Sequence, residues 1–318
     1  MPSWQARCAN ASSQILIRRR SWGRDEQAVA RRARRLFQSS QIFRWLRTRG
    51  LRLTPIKNEK VCGEWLAVEK PEPGVILYFH GGGYVACSAT NHRPITAALA
   101  HLSRHHVFSL NYRLAPEHRF PAALDDAVAA YQWLLDQGLS ASTISLAGDS
   151  AGGGLVLGTL LRVRDTGLPL PACAVCFSPW TDLAGTGASL HLNDGRCAMF
   201  RPENITEFAA AYLGAASPFD PYVSPVFADL SGLPPLLLQV GSTELLLDDS
   251  RRVHDKVQAA KGVSQLEIYD DVMHCWQMLD GLVPEARAAL RQVAAFICGH
   301  ALLTGQALPN KLFESSAQ

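Results

Sequence analysis

The run Gly148-Asp149-Ser150-Ala151-Gly152 sets a serine between two glycines, with the apolar run Ile144–Ala147 before it and the helical stretch Gly152–Asp165 after it. A sharp turn from strand to helix crowds the backbone, so a residue without Cβ is needed on each flank. Such a turn lifts the hydroxyl clear of a sheet and places it at a helix N-terminus, where developing negative charge is stabilised. The chemistry that suits this setting is attack of Ser150 on a carbonyl carbon. A second glycine run supports it. His80-Gly81-Gly82-Gly83 follows the apolar run Val75–Phe79, seventy residues before the serine. Glycines let backbone N–H groups approach an oxyanion without a Cβ in the way. The expected oxyanion hole is Gly81, Gly82, Gly83 and Ala151, with the amides of Gly82, Gly83 and Ala151 as donors and Gly81 shaping the loop. A phosphate-cradling loop is the rival reading, but no Lys-Ser/Thr follows the glycines.

A serine hydroxyl needs a base, and in strand–turn–helix sites of this kind the acid and then the histidine follow the nucleophile in the chain. Leu236–Val240 reads as a strand, and Glu244 stands four residues past its end. Its carboxylate there can fix the tautomer of a histidine and stabilise the imidazolium. Asp248 competes for the role, but it opens a helical run and is expected to serve as an N-cap. Three of the ten histidines lie C-terminal to this region: His254, His274 and His300. His254 reads as helical and exposed, and His300 falls in the tail. His274 follows the strand Leu266–Tyr269, and loops at the carboxyl ends of strands are where such sheets hold their active groups. His274 is therefore the expected base, and His80, ahead of the serine, a loop-shaping residue.

The elements that must position these groups alternate along the chain. Eight apolar runs read as strands: Leu51–Ile56, Val61–Val68, Val75–Phe79, Val107–Leu110, Ile144–Ala147, Ala172–Phe177, Leu236–Val240 and Leu266–Tyr269. The later ones are short and continuously apolar, as in a parallel sheet covered on both faces. Between them lie helical stretches at about 92–105, 122–136, 152–165, 248–260 and 284–298. The alternation predicts an α/β fold, an eight-stranded, mostly parallel sheet with helices on both faces and right-handed crossovers. Two regions stand outside the rhythm: residues 1–50, and about 183–216, where Pro202 precedes a helical Glu203–Leu213. Lying over the carboxyl end of the sheet, together they could form a helical cap on a catalytic domain of residues 51–318.

Composition bounds the alternatives. No run of eighteen apolar residues exists, so a membrane-spanning helix is not expected. Residues 1–60 hold fifteen Lys/Arg against three Asp/Glu, whereas the remaining residues hold sixteen against twenty-five. A basic arm for nucleic acid or anionic surfaces can look like this. The segment is nonetheless rich in Trp, Phe, Leu and Ile, and Asp25–Arg49 reads as one amphipathic helix packed on the acidic body with its arginines in water. No nucleic-acid partner and no stable membrane insertion are expected. Arg18, Arg19 and Arg20 are followed by no apolar stretch of the kind an export signal needs, which points to a cytoplasmic location. Of the eight cysteines, Cys87, Cys173, Cys176 and Cys298 sit in apolar stretches as small hydrophobes. Cys173 and Cys176 are i and i+3 on one strand, so they face opposite ways and should neither chelate nor pair. The last strand is a candidate sheet edge through which two copies could pair as a homodimer, and the tail beyond His300 reads as loosely ordered.

The motifs His80-Gly-Gly-Gly-Tyr84, Asn111-Tyr-Arg-Leu-Ala-Pro-Glu117, Gly148-Asp-Ser-Ala-Gly-Gly153 and Met273-His274 together resemble those of the hormone-sensitive-lipase family of bacterial carboxylesterases, over about residues 52 to 299. The resemblance implies an α/β-hydrolase sheet with a cap, no metal and no cofactor. The implied activity is a serine esterase acting through Ser150, His274 and Glu244 on small-molecule esters of short to medium chain. Many members carry an aspartate in an Asp-Pro-Leu-Arg-Asp context where this chain has Glu244-Leu-Leu-Leu-Asp248. By the same resemblance Arg113 and Glu117 tie loops near the oxyanion strand, and Asp149 orients neighbouring loops. Lactone hydrolysis needs the same machinery and is the first enzymatic alternative. A non-catalytic receptor on this fold lacks the histidine, so the presence of His274 beside Ser150 argues against it.

Overall fold

A computed structural model describes residues 1–19, 22–23 and 25–301. Eight strands form one sheet: β1 (Arg52–Lys57), β2 (Cys62–Ala67), β3 (Val75–Phe79), β4 (His106–Leu110), β5 (Ile144–Asp149), β6 (Cys173–Phe177), β7 (Leu236–Gly241) and β8 (Ser264–Tyr269). Their order is β1-β2-β4-β3-β5-β6-β7-β8. The first two pairings, β1 with β2 and β2 with β4, are antiparallel, and every later one is parallel. Strands β3 to β7 are buried along their whole length, which explains their predominantly apolar composition. By contrast β8 has one neighbour and a half-exposed face, so it is an edge, as its sequence suggested.

Ten helices complete the described chain: α1 (Trp4–Ser13), α2 (Glu26–Leu36), α3 (Gln41–Arg47), α4 (Arg93–Ser103), α5 (Ala122–Asp136), α6 (Ala151–Asp165), α7 (Ser189–Leu192), α8 (Pro202–Leu213), α9 (Leu247–Ala259) and α10 (Pro284–His300). The period-2 alternation of β3 divides the core between two faces. Val75, Leu77 and Phe79 join one cluster with residues of α5, α6 and α9, while Ile76 and Tyr78 join another with α4 and α10. Cys173 and Cys176 fall on opposite sides of this division, and neither forms a disulfide. No described helix is long and apolar enough to cross a membrane.

The amphipathic stretch Asp25–Arg49 is two helices rather than one. Asp25 caps α2 by accepting the Ala28 N–H at 2.7 Å, and Ser40 stands at the N-cap position of α3. Between them Phe37 turns inward against Trp22, and the Ser39 hydroxyl donates to the Asn91 carbonyl at 2.9 Å. These tertiary contacts outweigh the continuous helical periodicity. The preceding segment, expected as part of a helical cap, forms α1 and a π-helical turn, Gln14–Arg18. Ser3 bonds Glu285 on α10 through both N–H (2.6 Å) and hydroxyl (2.8 Å), which anchors α1 to the body. Helix α2 packs against α8, and Trp22 meets Phe208 edge-on at 5.2 Å. Arg20 and the tail beyond residue 301 lie outside the described residues.

Candidate active site

Ser150 occupies the tight turn between β5 and α6, with φ 54° and ψ −121°. Few L-residues adopt this backbone, and it persists because neighbours over-determine it. The Ser150 N–H donates to the Phe177 carbonyl at 2.8 Å, and its carbonyl accepts the N–H groups of Trp180 (2.9 Å) and Gly154 (3.1 Å). A Cβ at Gly152 would lie 2.0 Å from the Phe79 carbonyl oxygen, so no other residue fits where the turn passes β3. Ala151, first in α6, has no intrahelical acceptor for its N–H.

The glycine loop after β3 lies across from this turn. Gly82 (φ 112°) and Gly83 (φ 62°) take conformations that side chains disfavour. Neither N–H is taken up by another described residue. The Gly81 N–H, in contrast, donates to Asp149 Oδ1 at 2.9 Å, so Gly81 sets the loop and is not a free donor. Asp149 is wholly buried and also accepts the Tyr78 hydroxyl at 2.7 Å, with His92 Nε2 at 3.1 Å. Burial alone would push its carboxyl up, but the His92 charge and the His92 and Tyr78 hydrogen bonds hold it below the usual range. Asp149 thus orients the loop next to it. His80 is buried and stacks on Tyr112 at 4.2 Å, and its Nδ1 is engaged by the Gly81 carbonyl at 2.7 Å. Desolvation, reinforced by His92, lowers its pKa to about 3, so it is a neutral structural residue.

His274 and Glu244 come together behind the serine. His274 Nδ1 lies 2.5 Å from Glu244 Oε2, and both side chains are almost entirely out of water. The other carboxylate oxygen accepts the Gly241 N–H at 2.6 Å and the Ser178 hydroxyl at 2.7 Å. The carboxylate is therefore held from both sides, with one oxygen left for the imidazole. His274 Nε2 is buried and has no hydrogen-bond partner among the described residues. Ser150, Gly82, Gly83 and His274 all line one cavity of about 290 Å³, and Glu244 stands behind His274 outside it. The Phe200 ring meets the imidazole edge-on at 5.4 Å.

Other expected roles divide. Asp248 is not the N-cap of α9; Leu246 holds that position. Asp248 sits inside the first turn, where its Oδ2 accepts the Ser189 N–H at 2.8 Å. The reason is that the helix starts earlier, on the apolar Leu245-Leu246-Leu247, which the core takes up. His254 is helical as read, but half-buried and bonded to Ser264 Oγ at 3.0 Å; His300 ends α10 with Nδ1 on the Phe296 carbonyl at 2.8 Å. Arg113 binds Asp126, and Glu117 binds Arg34 of α2 at 2.6 Å. Since Arg34 also donates to the carbonyls of Val85 (2.9 Å) and Ala115 (3.1 Å), this group joins the N-terminal segment to the stretch after the glycine loop. Ser178 is a residue that the motifs do not reveal. It follows β6 at φ 44°, binds Glu244, and accepts the Cys275 N–H at 3.3 Å, bracing acid and base loops at once. Its position at the carboxyl end of a parallel strand is the one sequence signal that points to it.

Known proteins resemble this chain in sequence and fold. A profile described as alpha/beta hydrolase fold matches residues 76–278. An acetyl-hydrolase of Streptomyces hygroscopicus is 42% identical over 234 residues, covering 74% of this chain and 78% of that protein. An esterase of Acinetobacter venetianus is 36% identical over 247 residues, covering 77% and 82%. Among solved structures, that of EstE5 soaked with p-nitrophenyl butyrate superimposes with a TM-score of 0.86 at 36% identity, covering 94% of this chain and 99% of that one. That of an esterase from the bacterial hormone-sensitive lipase family gives 0.84 at 35%, covering 95% and 100%. With its eight-stranded sheet and its serine at the tight turn after β5, the chain belongs to the α/β-hydrolase fold family and, within it, to the bacterial hormone-sensitive-lipase esterases.

Proposed function

We propose that this member of an esterase family is a carboxylesterase for small apolar esters, working through Ser150, His274 and Glu244. The observation that carries the reading is the state of His274. One ring nitrogen is committed to a buried carboxylate, while the other is bare and belongs to a side chain lining the same cavity as Ser150. An imidazole held at Nδ1 by Glu244 presents Nε2 as an acceptor, which is what removal of the serine proton requires. Ser150 then attacks the ester carbonyl, and the oxyanion receives the N–H groups of Gly82, Gly83 and Ala151. The imidazolium passes its proton to the leaving alcohol, which frees the acyl-enzyme. Water activated by His274 attacks that ester in turn, and the acid departs with the serine restored.

Residues 1–50 and about 183–216 act as the cap in this reading. Ile17, Phe37, Phe200 and Phe208 line the cavity from those two segments, so substrate choice rests on them rather than on the sheet. An apolar lining and a volume of about 290 Å³, at the small end of the ~300–1,000 Å³ typical of ligand sites, suit short to medium acyl chains. The test is hydrolysis of p-nitrophenyl esters from acetate to dodecanoate by the wild type and Ser150→Ala. Turnover should peak at the shorter chains and vanish in the variant. Residual turnover in Ser150→Ala, or none at any length in the wild type, would overturn the proposal.

A further inference from the structure

Exposed large apolar side chains are concentrated in one part of the molecule. Among the described residues, seven of the twelve lie within residues 1–46, among them Ile15, Leu16, Ile42, Trp45 and Leu46. Two separate segments supply these five, and both adjoin residues that line the cavity at Ser150. Ile15 and Leu16 point outward from the π-helical turn whose Ile17 lines the cavity, while α3 begins directly after the cavity-lining Phe37, Gln38 and Ser39. Helix α3 reads Gln-Ile-Phe-Arg-Trp-Leu-Arg, and three of its seven residues stand out in water as bare hydrocarbon or indole.

Exposed cations belong to the same N-terminal segment as this apolar rim. Arg49 lies over the Trp45 ring at 5.4 Å, and Arg19 follows Ile15 and Leu16 closely in the chain. Arg7, Arg19, Arg31 and Arg35 are exposed, and none has a carboxylate partner among the described residues. The first sixty residues carry an excess of twelve positive charges over negative ones. Exposed apolar rims of this kind mark interaction surfaces. A second copy is a poor occupant, because a two-fold contact sets one arginine cluster against the other. Tryptophan and leucine between arginines instead match the boundary between lipid headgroups and acyl chains. There an indole is at home, and an anionic surface attracts each cation by about fivefold in binding.

We infer that this face docks the protein reversibly on anionic phospholipid bilayers, with Ile15, Leu16, Ile42, Trp45 and Leu46 dipping into the headgroup layer. It concerns binding and stands apart from the catalytic roles given above. Its consequence for them is that the cavity mouth faces the lipid, where apolar esters accumulate.

Co-flotation with vesicles separates the outcomes, using Ser150→Ala protein so that lipid cleavage plays no part. The protein should float with phosphatidylcholine vesicles containing 30 mol% phosphatidylglycerol, stay behind with pure phosphatidylcholine, and be released as salt rises from 0.05 to 0.5 M. Trp45→Glu/Leu46→Glu should weaken binding at least ~25-fold, since each added negative charge costs about as much as a cation contributes. Phe219→Glu, at an exposed site elsewhere, should bind as the parent does. Circular dichroism and the thermal midpoint show that each variant is folded. Three results would each overturn the inference: no flotation with the anionic vesicles at low salt, undiminished binding by the double variant, or a dimer in lipid-free solution that the double variant dissolves.

Discussion

Glu244→Gln tests the proposed acid with almost no change of shape. The amide oxygen can still accept the Gly241 N–H and the Ser178 hydroxyl, which lie 2.6 and 2.7 Å from Oε1. The amide nitrogen then faces His274 Nδ1, now 2.5 Å from a carboxylate oxygen. It can only donate, so the ring turns Nδ1 into an acceptor and keeps its proton on Nε2, where it cannot take the serine proton. Loss of charge adds to this. Opposite unit charges centred ~4 Å apart interact by about 4 kcal/mol at an effective dielectric constant of ~20, or ~10³ in rate if the imidazolium forms only in the transition state. The wrong tautomer alone lowers kcat by ~10⁴ when the buried acid of a serine protease triad is changed to its amide. We expect kcat on p-nitrophenyl butyrate to fall ~10³–10⁴-fold with KM within about threefold, measured in steady state at pH 8. Asp248→Asn should lose less than about threefold, because Asp248 binds Ser189 instead. A loss below tenfold in Glu244→Gln, or an equal loss in Asp248→Asn, would refute the assignment.

Two further outcomes follow from the loop and the core. Gly83→Ala puts a Cβ 3.0 Å from the Phe208 ring on a backbone at φ 62°, so the loop must move and its N–H with it; kcat should drop ~10²–10³-fold, and near-normal turnover would exclude Gly83 as an oxyanion donor. Desolvation lowers His80 to about 3 and His106, with His105 adding to it, to about 4. Both lie below the ~6.5 of an unfolded histidine, so the unfolded chain binds protons that the native state refuses. Stability is therefore complete above about pH 6.5 and is lost as pH falls towards 4, by about 1.4 kcal/mol per pH unit for each group. His106→Gln should make that acid slope shallower in thermal midpoints between pH 7 and 4.5, with His80, His101 and His105, all lowered by burial, still contributing to it; an unchanged slope would remove His106 from the account.

The framework was legible because its parallel strands are buried on both sides. Val75–Phe79 has no polar residue to interrupt it, and it runs over the same residues in the structure. Ser150, Gly82, Gly83 and His274, named from turn chemistry and chain order, line one cavity, with Glu244 against His274. What escaped notice depends on contacts distant in sequence. Ser178 lies 66 residues from Glu244, and no spacing rule connects them. The division of Asp25–Arg49 turns on Phe37 finding Trp22 and Phe200, partners outside the helix whose periodicity suggested continuity. Asp248 looked like a cap because aspartate favours that position, yet burial of Leu245 and Leu246 fixed the start of α9 two residues earlier.

The two groups that exchange the proton in the proposed mechanism, Ser150 and His274, hang from strands of unequal support. Ser150 leaves β5, which β3 and β6 flank on either side, whereas His274 follows β8, which has a neighbour on one side alone. Proteins open locally before they unfold, and an edge strand with a half-wet face is among the first elements to do so. The proposed nucleophile and base thus hang from an interior strand and an edge strand of the same sheet. On warming, the edge beside β7 is expected to open before the turn at Ser150 does. Turnover should then fall below the temperature at which the sheet melts and return on cooling, which activity and circular dichroism followed on one temperature ramp would show.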